Sequence, residues 1–404
     1  MLAHFQSPFV LFWAAAFALG ACSTLPPDQS NRLSSDQLRR LDQYTRTAPG
    51  VIAKSSTMRP AAAPMPLAKS ASAPSIAWRH AGTTYSTDDY LQRQPVMALL
   101  IAKDGVIVYE RYQFGRTAQQ NYLSNSMAKS FTGLAMGFAQ AEGRIPSFDA
   151  LVQSYVPALQ GTAYGETTLR NLMRMGSGVR FQETHQPNDD LSKFGTAVRK
   201  DGIVKGAKLF QEREAPQGSR FYYAGVEPAL LSAVIQSATG GSVASYLEPR
   251  LWQAIGAEGT AFWLQDPAGL NMTHCCITAL PRDYLRLGIV LANDGKRPDT
   301  GKQVIPREYL LDSTDWHRLD APFKPNSPAN RSNWGYSNFF WLQASEARRF
   351  ALLGVYGQAI FVDPANRLAM VHLAVNSSVH MAETTMDRER AALWRGVVQH
   401  FGRW

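Results

Sequence analysis

The most reactive arrangement of side chains in this sequence is Ser126-Met127-Ala128-Lys129, its one Ser-x-x-Lys tetrad. Residues three apart in a helix lie on the same face, so the serine hydroxyl and the lysine amine can meet. Ser126 opens a largely apolar segment, which places its hydroxyl and backbone N–H at the positive end of a helix dipole. Lys129 lies among apolar neighbours, and desolvation lowers an amine's pKa until it can accept a proton. The tetrad therefore indicates a nucleophile and its base; a capping serine followed by a surface lysine is the alternative.

Strands are predicted at both ends of the region that begins near Pro95. Residues 96–103 and 106–115 are typical of two strands, and Asp104-Gly105 between them supplies the positive φ angles of a two-residue hairpin. Residues 350–363 and 367–375 are rich in β-branched and aromatic side chains, which favour further strands. The two ends of this region therefore supply a sheet.

Helices are predicted between these strands. Residues 126–143 carry apolar side chains at helical spacing and end at Gly143, and residues 227–239 and 282–294 repeat the pattern. Strands and helices that are segregated along a chain do not form alternating parallel units. The sequence therefore predicts an α+β fold in which helices are inserted between two groups of strands.

Composition and charge narrow the classes of function. The chain has 404 residues, 45% of them hydrophobic, and a formal net charge of +9. Residues 23–80 hold eight basic and three acidic side chains, so this segment accounts for +5 of that charge, and no nucleic-acid partner is predicted. The eight histidines lack paired metal-ligand spacing, and His274-Cys275-Cys276 is expected to contribute buried thiols beside the Ser126 helix rather than a metal site.

The N-terminus predicts export and anchoring. Residues 9–21 form an apolar run shorter than the roughly 20 residues that span a bilayer, and the run ends in Leu19-Gly20-Ala21-Cys22. This ending resembles the bacterial lipobox, which implies acylation of Cys22. Ser23, rather than Asp, follows the cysteine, and in Gram-negative lipoproteins this implies delivery to the outer membrane, facing the periplasm. An ordinary cleaved signal is the alternative. The predicted boundaries are a signal peptide at 1–22, a flexible linker at 23–80 and a hydrolase domain at 81–404, with a short amphipathic helix at 34–44 inside the linker.

Three further segments, together with the tetrad, carry a family resemblance. They are TLRNLMRMGSGV at 168–179, PQGSRFYYAG at 216–225 and PRDYLRLG at 281–288. With the Ser-x-x-Lys helix they resemble, in order, the landmarks of the serine β-lactamase and penicillin-recognising superfamily. The pattern is most similar to the 6-aminohexanoate-oligomer hydrolases and the class-C-like carboxylesterases, which implies a β-lactamase-like fold.

The resemblance assigns roles to particular residues. Tyr223 matches the catalytic tyrosine that shares the proton with the lysine, and neighbouring Tyr222 is the weaker candidate because the two side chains point to opposite sides. The backbone N–H of Val355, with that of Ser126, corresponds to the oxyanion hole. The implied reaction acylates Ser126 and then hydrolyses the acyl-enzyme, and it needs no cofactor.

The sequence also departs from the family pattern. Gly225 stands where the tyrosine motif usually has asparagine, and neither Ser-Asp-Asn nor Lys-Thr-Gly occurs in the chain. GVYGQ at 354–358 replaces the Lys-Thr-Gly strand, offers no cation of its own, and is followed by a predicted edge strand. Residues considered for substrate binding are His185, Gly225, Tyr356 and Gln358, and an aromatic patch is expected to fill the core or line an acyl site; it comprises Trp334, Tyr336 and Trp341.

Three functions follow from these observations. The first is a serine hydrolase that cleaves a small amide or ester. The second is a β-lactamase or D,D-peptidase. The predicted periplasmic location favours this function, and the absence of a Lys-Thr-Gly motif argues against it. The third is a non-catalytic binding lipoprotein, which has no need of Ser126, Lys129 and Tyr223 together.

Overall fold

The computed structural model describes residues 32–45, 54–330, 333–377 and 385–404; Cys22 and the predicted signal peptide lie outside these ranges. The thirteen strands of the described part are β1 (Ser55–Met58), β2 (Ala77–His80), β3 (Thr83–Ser86), β4 (Val96–Lys103), β5 (Val106–Tyr112), β6 (Tyr122–Leu123), β7 (Ala261–Leu264), β8 (Ile277–Ala279), β9 (Trp334–Ser337), β10 (Phe340–Gln343), β11 (Phe350–Gly354), β12 (Gln358–Asp363) and β13 (Leu368–Ala374). Its eleven α-helices are α1 (Ser35–Thr45), α2 (Thr87–Arg93), α3 (Ala128–Ala141), α4 (Leu169–Met173), α5 (Asp190–Asp201), α6 (Ile203–Ala207), α7 (Val226–Thr239), α8 (Val243–Leu247), α9 (Pro281–Ala292), α10 (Arg307–Thr314) and α11 (Thr385–Phe401).

A seven-stranded antiparallel sheet joins the two ends of the domain, in the order β5-β4-β13-β12-β11-β10-β9. The predicted hairpin is confirmed: Asp104 and Gly105 have φ of 53° and 80° and connect β4 to β5. β4 also pairs with β13 near the C-terminus, so strands far apart in sequence form neighbours. The prediction of an edge strand after residue 358 is wrong: β11 and β13 both pair with β12, so β12 lies inside the sheet.

Alternation along the strands gives the sheet two apolar faces. On β4, Leu100 and Ala102 face one core, while Leu99 and Ile101 face the other. Such alternation follows from the two-residue period of a strand. The first core contains α3, α7 and α9, and the second contains α2 and α11. Helices on an antiparallel sheet confirm the α+β class.

The linker prediction is wrong for residues 54–80. β1 pairs with β7 in a second sheet of order β1-β7-β8-β6, and Met58 and Met65 are each 1% exposed. The Met65 N–H also donates to the Gly256 carbonyl at 2.9 Å. The proline- and alanine-rich composition suggested a segment unable to bury apolar surface, yet its two methionines reach the core of the domain and supply that surface.

The N-terminal helix α1 also packs on the domain, next to β6. Its apolar face buries Leu41 and Tyr44, and Asp42 pairs with Arg116 at 3.3 Å. The amphipathic helix predicted within the linker is therefore present, and it is docked. In the described ranges of the chain, no helix has the length and apolar character needed to cross a membrane.

Candidate active site

Ser126 lies in a 3₁₀ turn, Asn125–Met127, immediately before α3. The turn is held by Ser124, whose N–H donates to the Ile277 carbonyl at 2.7 Å and whose Oγ accepts from the Ile277 N–H at 3.1 Å. Asn125 adopts φ 46°, a left-handed conformation that asparagine tolerates better than most residues. Strand β8 and this turn together therefore place the serine at the helix N-terminus.

Lys129 is one turn into α3 and is 2% exposed. Its Nζ donates to Ser126 Oγ at 2.8 Å and to the His274 carbonyl at 2.7 Å. Burial lowers the pKa of Lys129 to about 8, while the negative charge of Glu183 acts in the opposite direction. The amine is thus both aimed at the serine hydroxyl and prepared to lose its proton near neutral pH.

Tyr223 completes the group of three although it is 97 positions from Ser126 in the sequence. Its phenol shares a hydrogen bond with the Ser126 hydroxyl, and Lys129 Nζ is 4.9 Å from the centroid of its ring. Burial raises the pKa of Tyr223 far above its ordinary range, so the phenol stays protonated unless a base takes its proton. Tyr222 is exposed, and its ring lies near the Arg220 guanidinium. The structure therefore brings Ser126, Lys129 and Tyr223 together.

Val355 lies beside the nucleophile because Gly354 approaches the Ser126 turn without a side chain. A Cβ at Gly354 would be 2.5 Å from the Ser124 carbonyl oxygen and 3.1 Å from the Ser126 nitrogen. The Val355 carbonyl accepts from Asn125 Nδ2 at 3.0 Å. These contacts put the backbone of Val355 next to that of Ser126, as an oxyanion hole requires.

Tyr356 and Gln358 have different surroundings. Tyr356 adopts φ 62° and its ring is half-buried beside α1. Gln358 is fully buried; its Nε2 donates to the Ala374 carbonyl at 2.6 Å and its Oε1 accepts from the Ala374 N–H at 3.3 Å. The prediction that Gln358 binds substrate is wrong, because its amide is consumed in joining β12 to β13.

Glu183 is a site residue that sequence reasoning missed. Its Oε2 accepts the Gly225 N–H at 2.5 Å, and a Cβ at Gly225 would lie 3.0 Å from the same oxygen. Gly225 therefore serves by leaving space for this carboxylate. Burial raises the pKa of Glu183, and the charge of Lys129 partly offsets that increase. The sequence contains one weak signal for Glu183: an acid two positions before His185, in the loop that follows the segment 175–178.

His185 lies close to this carboxylate, with its Nε2 3.9 Å from Glu183 Oε1. The loop around it is built by Asp189, whose Oδ2 accepts the N–H groups of Thr184 and His185 at 2.9 and 2.7 Å. Asp189 thus has a structural role. A substrate contact by His185 stays a prediction.

The segment that receives the Lys129 hydrogen bond contains a feature not anticipated. Cys275 and Cys276 are joined as a disulfide between adjacent residues, so the prediction of buried thiols is wrong. Trp263 Nε1 donates to the Cys275 carbonyl at 2.9 Å. Burial and the nearby Lys129 lower the pKa of His274 to about 3, which keeps its ring neutral. In the part of the chain that the structure describes, no cluster of side chains is suited to hold a metal ion.

Aromatic rings form one wall of the site. Trp341 stacks on Tyr223 with centroids 5.8 Å apart, and Tyr336 meets the same ring edge-on at 6.1 Å. Tyr336 is 1% exposed and fills the core, whereas Trp341 and Trp334 are half-buried. Within the predicted patch, Tyr336 therefore packs in the core, and Trp341 forms a wall that holds the Tyr223 ring in place.

This geometry can support acyl transfer. A hydroxyl contacts an amine of lowered pKa and a phenol, and the backbone of a second segment lies beside it. The group has a nucleophile, a base and a proton carrier, which are the parts that covalent catalysis without a metal requires.

Comparisons with known proteins agree with this arrangement. The profile of the beta-lactamase family matches residues 84–393. A 6-aminohexanoate-dimer hydrolase of Paenarthrobacter ureafaciens is 22% identical over 284 residues, which cover 69% of this chain and 72% of that protein.

Solved structures share the fold. A Bacillus anthracis protein assigned as a 6-aminohexanoate-dimer hydrolase superposes with a TM-score of 0.79 at 23% identity, covering 94% of this chain and 98% of that one. A family VIII carboxylesterase gives a TM-score of 0.57 at 14% identity, with coverages of 76% and 93%.

Proposed function

Because the chain belongs to the beta-lactamase family of serine hydrolases, we propose that it cleaves small amide or ester substrates through an acyl-enzyme on Ser126. The observation that supports this most directly is Lys129 Nζ, buried and 2.8 Å from Ser126 Oγ, with the Tyr223 phenol on the same hydroxyl. A structural serine would not need both partners.

In the first half-reaction Ser126 Oγ attacks the substrate carbonyl carbon and gives its proton to the Lys129–Tyr223 pair. The negative charge that develops on the carbonyl oxygen is stabilised by the backbone N–H groups of Ser126 and Val355. When the tetrahedral intermediate breaks down, Tyr223 returns the proton to the departing amine or alcohol.

In the second half-reaction water attacks the acyl group. The neutral Lys129 amine, again through Tyr223, accepts a proton from that water and passes it to the departing Ser126 Oγ, which regenerates both the serine hydroxyl and the neutral amine. Lys129 keeps its position throughout because the backbone carbonyl of His274 accepts a second hydrogen bond from its Nζ. No step requires a cofactor.

The similarity to 6-aminohexanoate-dimer hydrolases and to a carboxylesterase supports short linear amides and esters as the substrate class. Hydrolysis of β-lactams or D,D-peptides is the weaker candidate, because the chain lacks Lys-Thr-Gly. Nitrocefin should be measured beside a p-nitrophenyl ester series and 6-aminohexanoate dimer. Efficient lactam turnover without ester or amide activity would reverse this order.

Replacing the nucleophile tests the mechanism. We expect Ser126→Ala to lose p-nitrophenyl butyrate hydrolysis and labelling by a fluorophosphonate probe, since both need the Oγ. Tyr222→Phe is the matched control, because this neighbouring side chain is exposed and lies near Arg220. Full ester turnover by Ser126→Ala would discard the acyl-enzyme, and an unlabelled wild-type protein would favour a binding lipoprotein.

We also propose that the protein is a lipoprotein of the Gram-negative outer membrane, facing the periplasm and anchored through Cys22. Support comes from the Leu-Gly-Ala-Cys ending of the apolar N-terminal run. Intact-mass analysis of protein purified from membranes should show a chain that begins at an acylated Cys22. A mass corresponding to an unmodified cysteine would exclude the anchor.

A further inference from the structure

The loop that carries Val355 is a tight turn between two strands of the large sheet. Gly354 and Gln358 are the last pair of β11 and β12, so a turn of only three residues joins the strands. Two of these residues have positive φ, 62° at Tyr356 and 95° at Gly357. A left-handed conformation is unfavourable for a tyrosine, so the turn keeps this shape only because its surroundings hold it.

All three carbonyls of the turn accept hydrogen bonds from other parts of the fold. The bonds run from Asn125 Nδ2 to Val355 at 3.0 Å, from the Asn376 N–H to Tyr356 at 3.0 Å, and from His372 Nδ1 to Gly357 at 2.6 Å. A carbonyl oxygen that faced the nucleophile would repel the negative charge of a tetrahedral intermediate. Engaging all three carbonyls elsewhere therefore keeps them out of the proposed oxyanion hole.

The partners of His372 fix the position of its ring proton. A carbonyl oxygen only accepts, so Nδ1 carries the proton that the Gly357 carbonyl receives. Nε2 is 2.9 Å from Tyr90 Oη and accepts the hydrogen bond of that phenol. Burial, together with the charge of Arg390, lowers the pKa of His372 to about 3, so the ring stays neutral. His372 and Tyr90 are both 0% exposed, so water does not compete for these bonds.

The ring of His372 also packs directly against the turn. A Cβ at Gly357 would be 3.6 Å from His372 Cε1 and 2.9 Å from the Ala374 Cβ. His372 lies on β13 opposite Ala359 of β12, in the middle of the large sheet. The imidazole therefore joins the interior of the sheet to the turn that carries Val355.

We infer that His372 is a positioning residue for the oxyanion hole, and that Tyr90 holds its ring in the required orientation. This inference rests on the proposed hydrolase function and adds two residues to it, neither of which has surface that a substrate could reach. Without the Nδ1–H donor the Gly357 carbonyl loses a buried partner, and a shift of the turn would displace Val355 two positions away. A displacement of about 1 Å at a reacting group can cost about 100-fold in rate.

The test removes the donor at position 372 and keeps an apolar side chain of similar size. We expect His372→Leu to lower kcat for p-nitrophenyl butyrate by about 10- to 100-fold while KM stays within about twofold, because the oxyanion hole acts on the transition state. Affinity for a trifluoromethyl ketone, which forms a tetrahedral adduct on the serine, should fall by a similar factor. His372→Asn should recover most of the loss, because its amide can donate from nearly the position of Nδ1.

Tyr90→Phe should lower kcat less than His372→Leu, because the ring keeps its donor and loses only the phenol that orients it. Two variants control for lost stability. Met370→Ala removes core volume from the same strand, and Tyr109→Phe removes a buried phenol that donates to Asp88 on α2. Both controls should unfold at lower urea concentration and keep the wild-type kcat. Unchanged kcat in His372→Leu, or a loss no greater than that of Met370→Ala, would overturn the inference.

Nitrogen NMR of protein with isotope-labelled histidine tests the hydrogen bonds without turnover. The His372 signals, identified by their absence in His372→Asn, should show a neutral ring protonated at Nδ1 at neutral pH. A proton on Nε2 alone would overturn the inference even if His372→Leu fails to fold. Failure of the wild-type protein to cleave any ester or amide would instead reject the proposed hydrolase function, a result distinct from an active wild type whose turnover is independent of His372.

Discussion

The lowered pKa of Lys129 predicts how activity depends on pH. Burial places this pKa at about 8, against 10.5 for an unperturbed lysine. At pH 7 about 9% of the amine is then neutral, compared with about 0.03% for an unperturbed lysine, a gain of about 300-fold in the reactive form. We therefore expect kcat/KM to rise about tenfold between pH 7 and pH 9 and to level off above that range.

The assay follows hydrolysis of a p-nitrophenyl ester at the isosbestic wavelength of nitrophenol and nitrophenolate. Rates with Ser126→Ala are subtracted at each pH to remove spontaneous hydrolysis, and unfolding midpoints are recorded across the same range. A profile that is flat or falling between pH 7 and 9, in protein that stays folded, would refute a neutral lysine as the base.

Glu183→Gln tests whether the pKa of Lys129 controls this pH dependence. The charge of Glu183 raises the pKa of Lys129, so its removal leaves burial unopposed and should lower that pKa further. The inflection of the profile should accordingly move to lower pH. Movement to higher pH, or none, would show that this carboxylate does not act on the amine.

Three further outcomes are expected. Burial raises the pKa of Glu227 to about 8, so the folded state retains a proton that the unfolded state releases above about pH 4.5, and stability falls as pH rises from there to 8. Urea unfolding should show wild type losing about 1 kcal/mol per pH unit more than Glu227→Gln between pH 5 and 8; parallel losses would contradict this. Gly354→Ala should lower kcat at least about tenfold, because its Cβ would meet the Ser124 carbonyl, and an unchanged kcat would be inconsistent with that close approach. Reduction by a dithiol should expose two alkylatable thiols at Cys275 and Cys276 and add two hydrogen atoms to the mass before alkylation; alkylation of Cys275 or Cys276 without reductant, located by peptide mapping, would show that the disulfide is absent.

Local rules were sufficient for the elements that surround the nucleophile. Asp104-Gly105 produced the expected hairpin, and the apolar spacing after Ser126 produced α3. The approach of Lys129 to Ser126 also follows from helix geometry alone, since the two residues are three apart. The approach of Tyr223 to Ser126 could not be predicted from local rules. Only the family motif related this tyrosine to a tetrad 97 positions earlier.

Long-range packing decided what local patterns could not. Composition predicted that residues 54–80 would be a linker, but the pairing of β1 with β7 depends on an edge that is present only in the folded domain. Gln358 was expected at the substrate, yet the carbonyl of Ala374 competes for its amide inside the sheet. In each case the group that forms the contact lies on a strand distant in sequence. Neighbouring residues in the sequence therefore cannot predict the contact.

By itself, then, the sequence determined the α+β class, the helix that presents Ser126 and Lys129, and the family landmark that contains Tyr223. Tertiary structure alone decided that Glu183 faces the lysine and that His372 donates to the Gly357 carbonyl. The reason is physical: a turn or a helical face is set by residues a few positions apart, whereas the electrostatics of a buried site depend on which distant side chains the core excludes from water.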